Sequence, residues 1–199
     1  MNRLLGALAL ALPLLYHPAC AQVIVFENNG LKYQTLTKSG VTIMYAHLAP
    51  RIHQYTILQV AVTNGSEGPY VVRPEDFNYV RDSGELRATA AKTVIQMLYE
   101  HGSGSDVTKL VMAYENWISG IPNYHATSGF EYRRQSALGM GAAKLRSAAA
   151  ASAIAFDQTK LAPGEATDGA VFFASNGKQL AGGKLVVRTN TDVFSFNEE

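Results

Sequence analysis

The stretch that decides the fold is "QYTILQVAVTNGSEGPYVVRPEDFNYV", residues 54–80. Its first part alternates: Thr56, Leu58, Val60 and Val62 point one way, Ile57 and Ala61 the other, as in a β-strand. "NGSEGP" then makes a turn, because Asn and Gly tolerate positive φ and Pro fixes φ near one value. "YVV" and "FNYV" are further short strands, and "DSG" at 82–84 is another turn. Working outward, "VTIMYAH" at 41–47 alternates Val41, Ile43, Tyr45 and His47 on one side, and "QVIVFE" at 22–27 is short and β-branched. Strands every 8–12 residues or so, separated by such turns, predict a β-sandwich.

The pattern changes at about residue 88. "TAAKTVIQMLYEHG" places Ala91, Val94, Ile95 and Leu98 on one helical face, with Gly102 positioned to end the helix. "SDVTKLVMAYENWISG" predicts a second helix with Ser105 as its N-cap and Asp106 in its first turn. "GSGS" at 102–105 is the turn between them; no Lys-Ser/Thr follows it at phosphate-loop spacing. "IPNYHATSG" reads as a loop. A third helix is expected from Phe130 to Phe156, about 40 Å long at ~1.5 Å per residue. Its final part, "KLRSAAAASAIAF" at 144–156, has almost no side-chain bulk, so it suits close approach of another backbone. Its uninterrupted apolar run is far shorter than the ~20 residues of a membrane span.

After Asp157 the strand character returns, with "GAVFFAS", "KLVVRT" and "DVFSF" between turn signals. A sandwich needs strands from both ends of the chain to complete its sheets. The expected organisation is therefore a signal peptide at 1–21 and a single domain at 22–199, interrupted by helices at about 88–156.

"YTILQVAVTNGSEGPYVVRPEDFNYVRDSGEL" and "LAPGEATDGAVFF" together resemble the secreted immunoglobulin-like domains of unknown function found in bacterial lipoproteins and mycobacterial immunoprotective antigens. The shared pattern is a long strand ending in V-x-N, a "P-x-D-F" stretch, an acidic-Gly turn, and "L-x-P-G-E" before an aromatic strand. The likeness covers about residues 40–86 and 158–190. The helical block lies outside it and departs from the short connection usual in such domains. The resemblance implies a mainly β protein: an immunoglobulin-like antiparallel β-sandwich interrupted by a block of about three helices. It carries no catalytic residue over to this chain.

Composition limits function. Of 199 residues, 47% are hydrophobic and 17% charged, which supports a core. The formal net charge of +1 gives no basic field for nucleic acid. Arg3, the apolar run "LLGALALALPLL" and the small-x-small "ACA" at 19–21 read as a cleaved secretory signal. The expected location is secreted or periplasmic, with no span left after cleavage. A lipid anchor at Cys20 is disfavoured because His17, not an aliphatic residue, stands three positions before it. Cys20 is the only cysteine, so cleavage after Ala21 leaves no thiol for disulfides or metal sites.

The candidate chemistry is sparse. His47 and His53 flank "LAPRI" and are the weak candidates for a copper or zinc site. No G-x-S-x-G or S-x-x-K motif is present. Glu75 and Asp76 are adjacent, so an extended strand points them to opposite faces. Aromatic residues are concentrated in the helical block. Tyr114, Trp117, Tyr124, Phe130 and Tyr132, with the small Ala149 and Ser152, are the partner-binding candidates. The resulting expectation is a non-catalytic binding or scaffold module, without cofactor, whose insertion recognises an envelope protein. The alternatives are a periplasmic metal-binding protein using His47 and His53, and, more weakly, a hydrolase of an envelope polymer.

Overall fold

A computed structural model describes residues 22–122, 124, 133, 136 and 139–197. Residues 1–21, where a signal peptide is expected, and Phe130 and Tyr132 lie outside the described residues. Strands β1 (Ile24–Asn28), β2 (Leu31–Lys38), β3 (Val41–His47), β4 (Tyr55–Asn64), β5 (Tyr70–Val72), β6 (Phe77–Arg81) and β7 (Gly84–Arg87) come first. Helices α1 (Ala91–His101), α2 (Gly104–Ser119) and α3 (Ala143–Ile154) follow. Strands β8 (Thr159–Leu161), β9 (Ala166–Ala174), β10 (Gly183–Arg188) and β11 (Val193–Asn197) complete the described chain.

The strands form a five-stranded sheet in the order β1-β2-β3-β4-β9, a four-stranded sheet in the order β11-β10-β6-β7, and the small pair β5-β8. All pairings between these strands are antiparallel. The protein is mainly β, and segments before and after the helices build the sheets jointly: β4 pairs with β9, and β6 with β10.

β4 explains the layering. Leu58, Val60 and Val62 join a core shared with Phe77 and Tyr79 of β6, Leu185 and Val187 of β10, and Phe194 and Phe196 of β11. The two larger sheets therefore face each other. Tyr55, Ile57 and Ala61, from the other face of β4, pack against Val94 and Leu98 of α1, Leu110 and Trp117 of α2, and Ile154 of α3. With both faces covered, nearly every β4 side chain is buried, as period-2 alternation requires when layers lie above and below.

Two expectations need correction. The third helix is not continuous from Phe130 to Phe156: residues 139–142 are not helical, and α3 begins at Ala143. Gly139 and Gly141 interrupt it, each costing about 1 kcal/mol relative to Ala in a helix. The N-cap of α2 is Ser103, not Ser105.

α3 packs on both α1 and α2, and its small residues allow this. Ala148, Ala150, Ala151 and Ala153 are buried. Gly102, which caps α1, has an ordinary negative φ. It is required by space instead, because a methyl group there would collide with Ser147 Oγ of α3 and the Leu98 carbonyl. Beyond α3, Phe156 N–H donates to Ala170 O of β9 at 2.9 Å, closing the insertion onto the sheet.

Candidate functional site

The helix-facing side of the large sheet carries an unusual polar residue on each of two neighbouring strands. On β9, Asp168 precedes Ala170 and Phe172 on the face that meets the helices. On β4, Gln59 lies between Ile57 and Ala61 on the same face. Register pairs Gln59 with Ala170 and Ala61 with Asp168. Gln59 is fully buried and Asp168 is 5% exposed.

The insertion brings three aromatic residues to this spot. Tyr114 Oη donates to Asp168 Oδ2 at 2.7 Å. Trp117 lies beside Tyr114, with ring centroids 6.2 Å apart, and Tyr124 meets Trp117 edge-on at 6.1 Å. Asp168 Oδ1, both amide atoms of Gln59, Trp117 Nε1 and Tyr124 Oη are buried without a hydrogen-bond partner among the described residues.

Burial pushes the Asp168 carboxyl up to a pKa of about 6, against the opposing pull of the Tyr114 hydrogen bond, the Arg133 charge and the nearby Gln59 amide. Gln59 lies close enough to favour the ionised form, but among the described residues its amide makes no hydrogen bond of sound geometry. The Tyr124 phenol is raised by burial first and by the Asp168 charge second. Asp168 lines a cleft of about 280 Å³, which Arg133, Asp157, Glu165 and Thr167 also border. Asp157 and Glu165 hold turns with their carboxylates, accepting the Gln158 and Ala162 amides at 2.8 and 2.7 Å.

A second buried carboxylate lies at the start of α2. Asp106 is 4% exposed. Its Oδ2 accepts from Ser103 N–H at 2.9 Å and Ser103 Oγ at 2.7 Å, and His53 Nε2 approaches it at 3.4 Å. Burial raises its pKa, but the Ser103 hydrogen bonds and His53 outweigh burial and hold it below the ordinary value. Ser, Asp and His meet here in the wrong order for acyl transfer. The carboxylate is the hub, whereas a catalytic triad places the imidazole between hydroxyl and carboxylate. This cluster is a capping box that also anchors the β3–β4 connection.

The structure does not bring His47 and His53 together. His53 meets α2, whereas His47 follows Tyr45 on the inter-sheet face, with the two rings 5.7 Å apart. Among the described residues no group of three or more His, Cys, Asp or Glu is arranged for a metal ion. Of the partner-binding candidates, Tyr114 and Trp117 are inside the protein and Tyr124 is half-buried. Ala149 is partly buried against the helix–sheet core and Ser152 is exposed.

Asp168 and Gln59 were not singled out from sequence. Their signal was available: each is a polar residue on an otherwise apolar strand face, which a strand buried on both sides seldom carries. No family model, curated protein or solved structure matches the chain.

Proposed function

We propose that the chain is a non-catalytic extracytoplasmic binding module, an immunoglobulin-like sandwich whose helical insertion serves as the recognition element. The observation that carries this reading is the convergence of Tyr114, Trp117 and Tyr124 from the insertion on Asp168 and Gln59 of the sheet. Buried polar atoms without partners are rare in folded proteins, and each costs about 1–3 kcal/mol. A ligand that reaches the cluster recovers part of that cost. Three carboxyl groups and one guanidinium line the cleft, so the complementary group is a hydrogen-bonding cation: an ammonium or guanidinium, as on a basic segment of an envelope protein.

One observation also favours the second reading, hydrolysis of an envelope polymer. A carboxyl with a pKa of about 6 in a cleft with two other acids has the protonation behaviour of a general acid.

One experiment separates the two. Purified protein is titrated calorimetrically with a lysine- and arginine-rich peptide and incubated with peptidoglycan fragments, in parallel with Asp168→Asn. The binding reading expects peptide affinity that falls at least about tenfold in the variant, and no cleavage. Cleavage abolished in the variant replaces it with the hydrolase reading. Absence of both, or peptide affinity unchanged by Asp168→Asn, removes the cleft as the functional site.

A further inference from the structure

A different cleft, of about 320 Å³, opens at the end of the sheet pair where β2 starts and β3 finishes. It is formed by strands β2 and β3 and by connections between strands, with no helix residue in its lining, and shares no residue with the Asp168 cleft. Lys32 and Gln34 are two apart on β2 and so share a face. The β2–β3 register sets Gln34 opposite Tyr45 and Tyr33 opposite Ala46, and carries on to place His47 beside Lys32. Gln179 and Leu180, from the β9–β10 connection, form the facing wall.

Three features define what this cleft accepts. Gln34 is 5% exposed, yet its Oε1 has no hydrogen-bond partner among the described residues. A buried amide oxygen in that state requires a donor. Lys32 brings a positive charge, and no acidic side chain lines the cleft among the described residues. Leu31, Ala49 and Leu180 add an apolar surface.

We propose that this cleft binds a small hydroxycarboxylate. The carboxylate pairs with Lys32, within reach of the His47 and Gln179 side chains. The hydroxyl donates to Gln34 Oε1, and the carbon skeleton lies on Leu180. Glu27 of β1 stands opposite Lys32 in the register but does not line the cleft. A neutral polyol offers Lys32 no negative charge from the cleft side, and a simple fatty acid offers Gln34 no donor. Charge and donor must be carried on one molecule.

The test is a calorimetric titration of the purified protein with lactate, tartrate and gluconate, against glucose and propionate as controls that each lack one of the two groups. At least one hydroxycarboxylate is expected to bind at least about tenfold more tightly than both controls. Lys32→Gln and Gln34→Leu are each expected to weaken that binding about tenfold or more, while Asp168→Asn leaves it unchanged. Lys32 is exposed, so its variant decides the matter if Gln34→Leu does not fold. The proposal is overturned if no hydroxycarboxylate binds better than the controls. It is equally overturned if the Lys32 variant binds as the parent does.

Discussion

The two faces of the five-stranded sheet are buried by different means. Between the sheets the core is made of bulk: Phe77, Tyr79, Phe173, Phe194 and Phe196 are fully buried. Phe77 meets Phe156 edge-on at 5.4 Å, and Tyr45 meets Phe196 at 5.0 Å. Under the helices, alanines of α3 provide close approach, and polar groups are buried as well: Asp168 and Gln59 of the sheet, Ser147 of α3 and Asp106 of α2. The same two strands, β4 and β9, supply both faces. One face gains stability from apolar volume, which is non-directional. The other also accepts polar groups that need specific partners, Asp168 and Gln59 among them.

The largest break in this contrast is expected from the bulky face. Phe77→Ala removes a fully buried ring that spans β6 and the segment after α3. It should lower stability by about 3–5 kcal/mol, measured by urea denaturation. The same variant should leave the ionisation of Asp168 in place, because the five-stranded sheet separates the two. A large change in the pH dependence of Phe77→Ala would show that the faces are not independent.

The second prediction concerns the polar face and pH. The folded Asp168 pKa is raised to about 6 from an ordinary value near 4. The folded protein therefore holds a proton that the unfolded chain has already released. Its contribution is complete below pH ~4 and is lost as pH rises through about 6, for a total of roughly 2–3 kcal/mol. Asp106 has the opposite sign. Its folded pKa is lowered, so its contribution is present above the unfolded value and is lost as pH falls through the folded one. Asp168→Asn should abolish the loss of stability between pH 4 and 6, approximately, and leave the acid limb unchanged. Persistence of that loss in the variant would place the titrating group elsewhere.

The contrast also explains what the sequence allowed to be read. The alternation of β4 was plain, because Leu58, Val60 and Val62 against Ile57 and Ala61 is a period-2 signal. Apolar residues on both sides require a layer on both sides, and the helices are the second layer. β2, "LKYQTLTK", was missed because Lys32, Gln34 and Thr35 dilute its apolar pattern, although Tyr33 is fully buried. Asp168 was hidden by the turn-like "GEATDG", since Asp beside Gly ordinarily marks a loop; the strand in fact begins at Ala166. The helical step through Ala137, Leu138, Gly141 and Leu145 runs across Gly139 and Gly141, where the structure breaks it, so that α3 begins at Ala143. The convergence of Tyr114, Trp117 and Tyr124 on Asp168 joins residues more than forty positions apart, and no local pattern carries it.

The smallest predicted effect tests the role of the alanines in α3. Ala151 and Ser152 are adjacent, but Ala151 is fully buried and Ser152 is exposed. If α3 is small because it must lie close to its neighbours, bulk should be tolerated at one position and not the other. Ala151→Leu should cost about 1–3 kcal/mol through overpacking, read from the urea midpoint. Ser152→Leu should remain within about 0.5 kcal/mol of the parent. The pair also distinguishes internal packing from association. A variant at Ser152 that folds normally but loses an envelope partner would assign the outer side of α3 to recognition, whereas unchanged partner binding confines the role of this helix to covering the sheet.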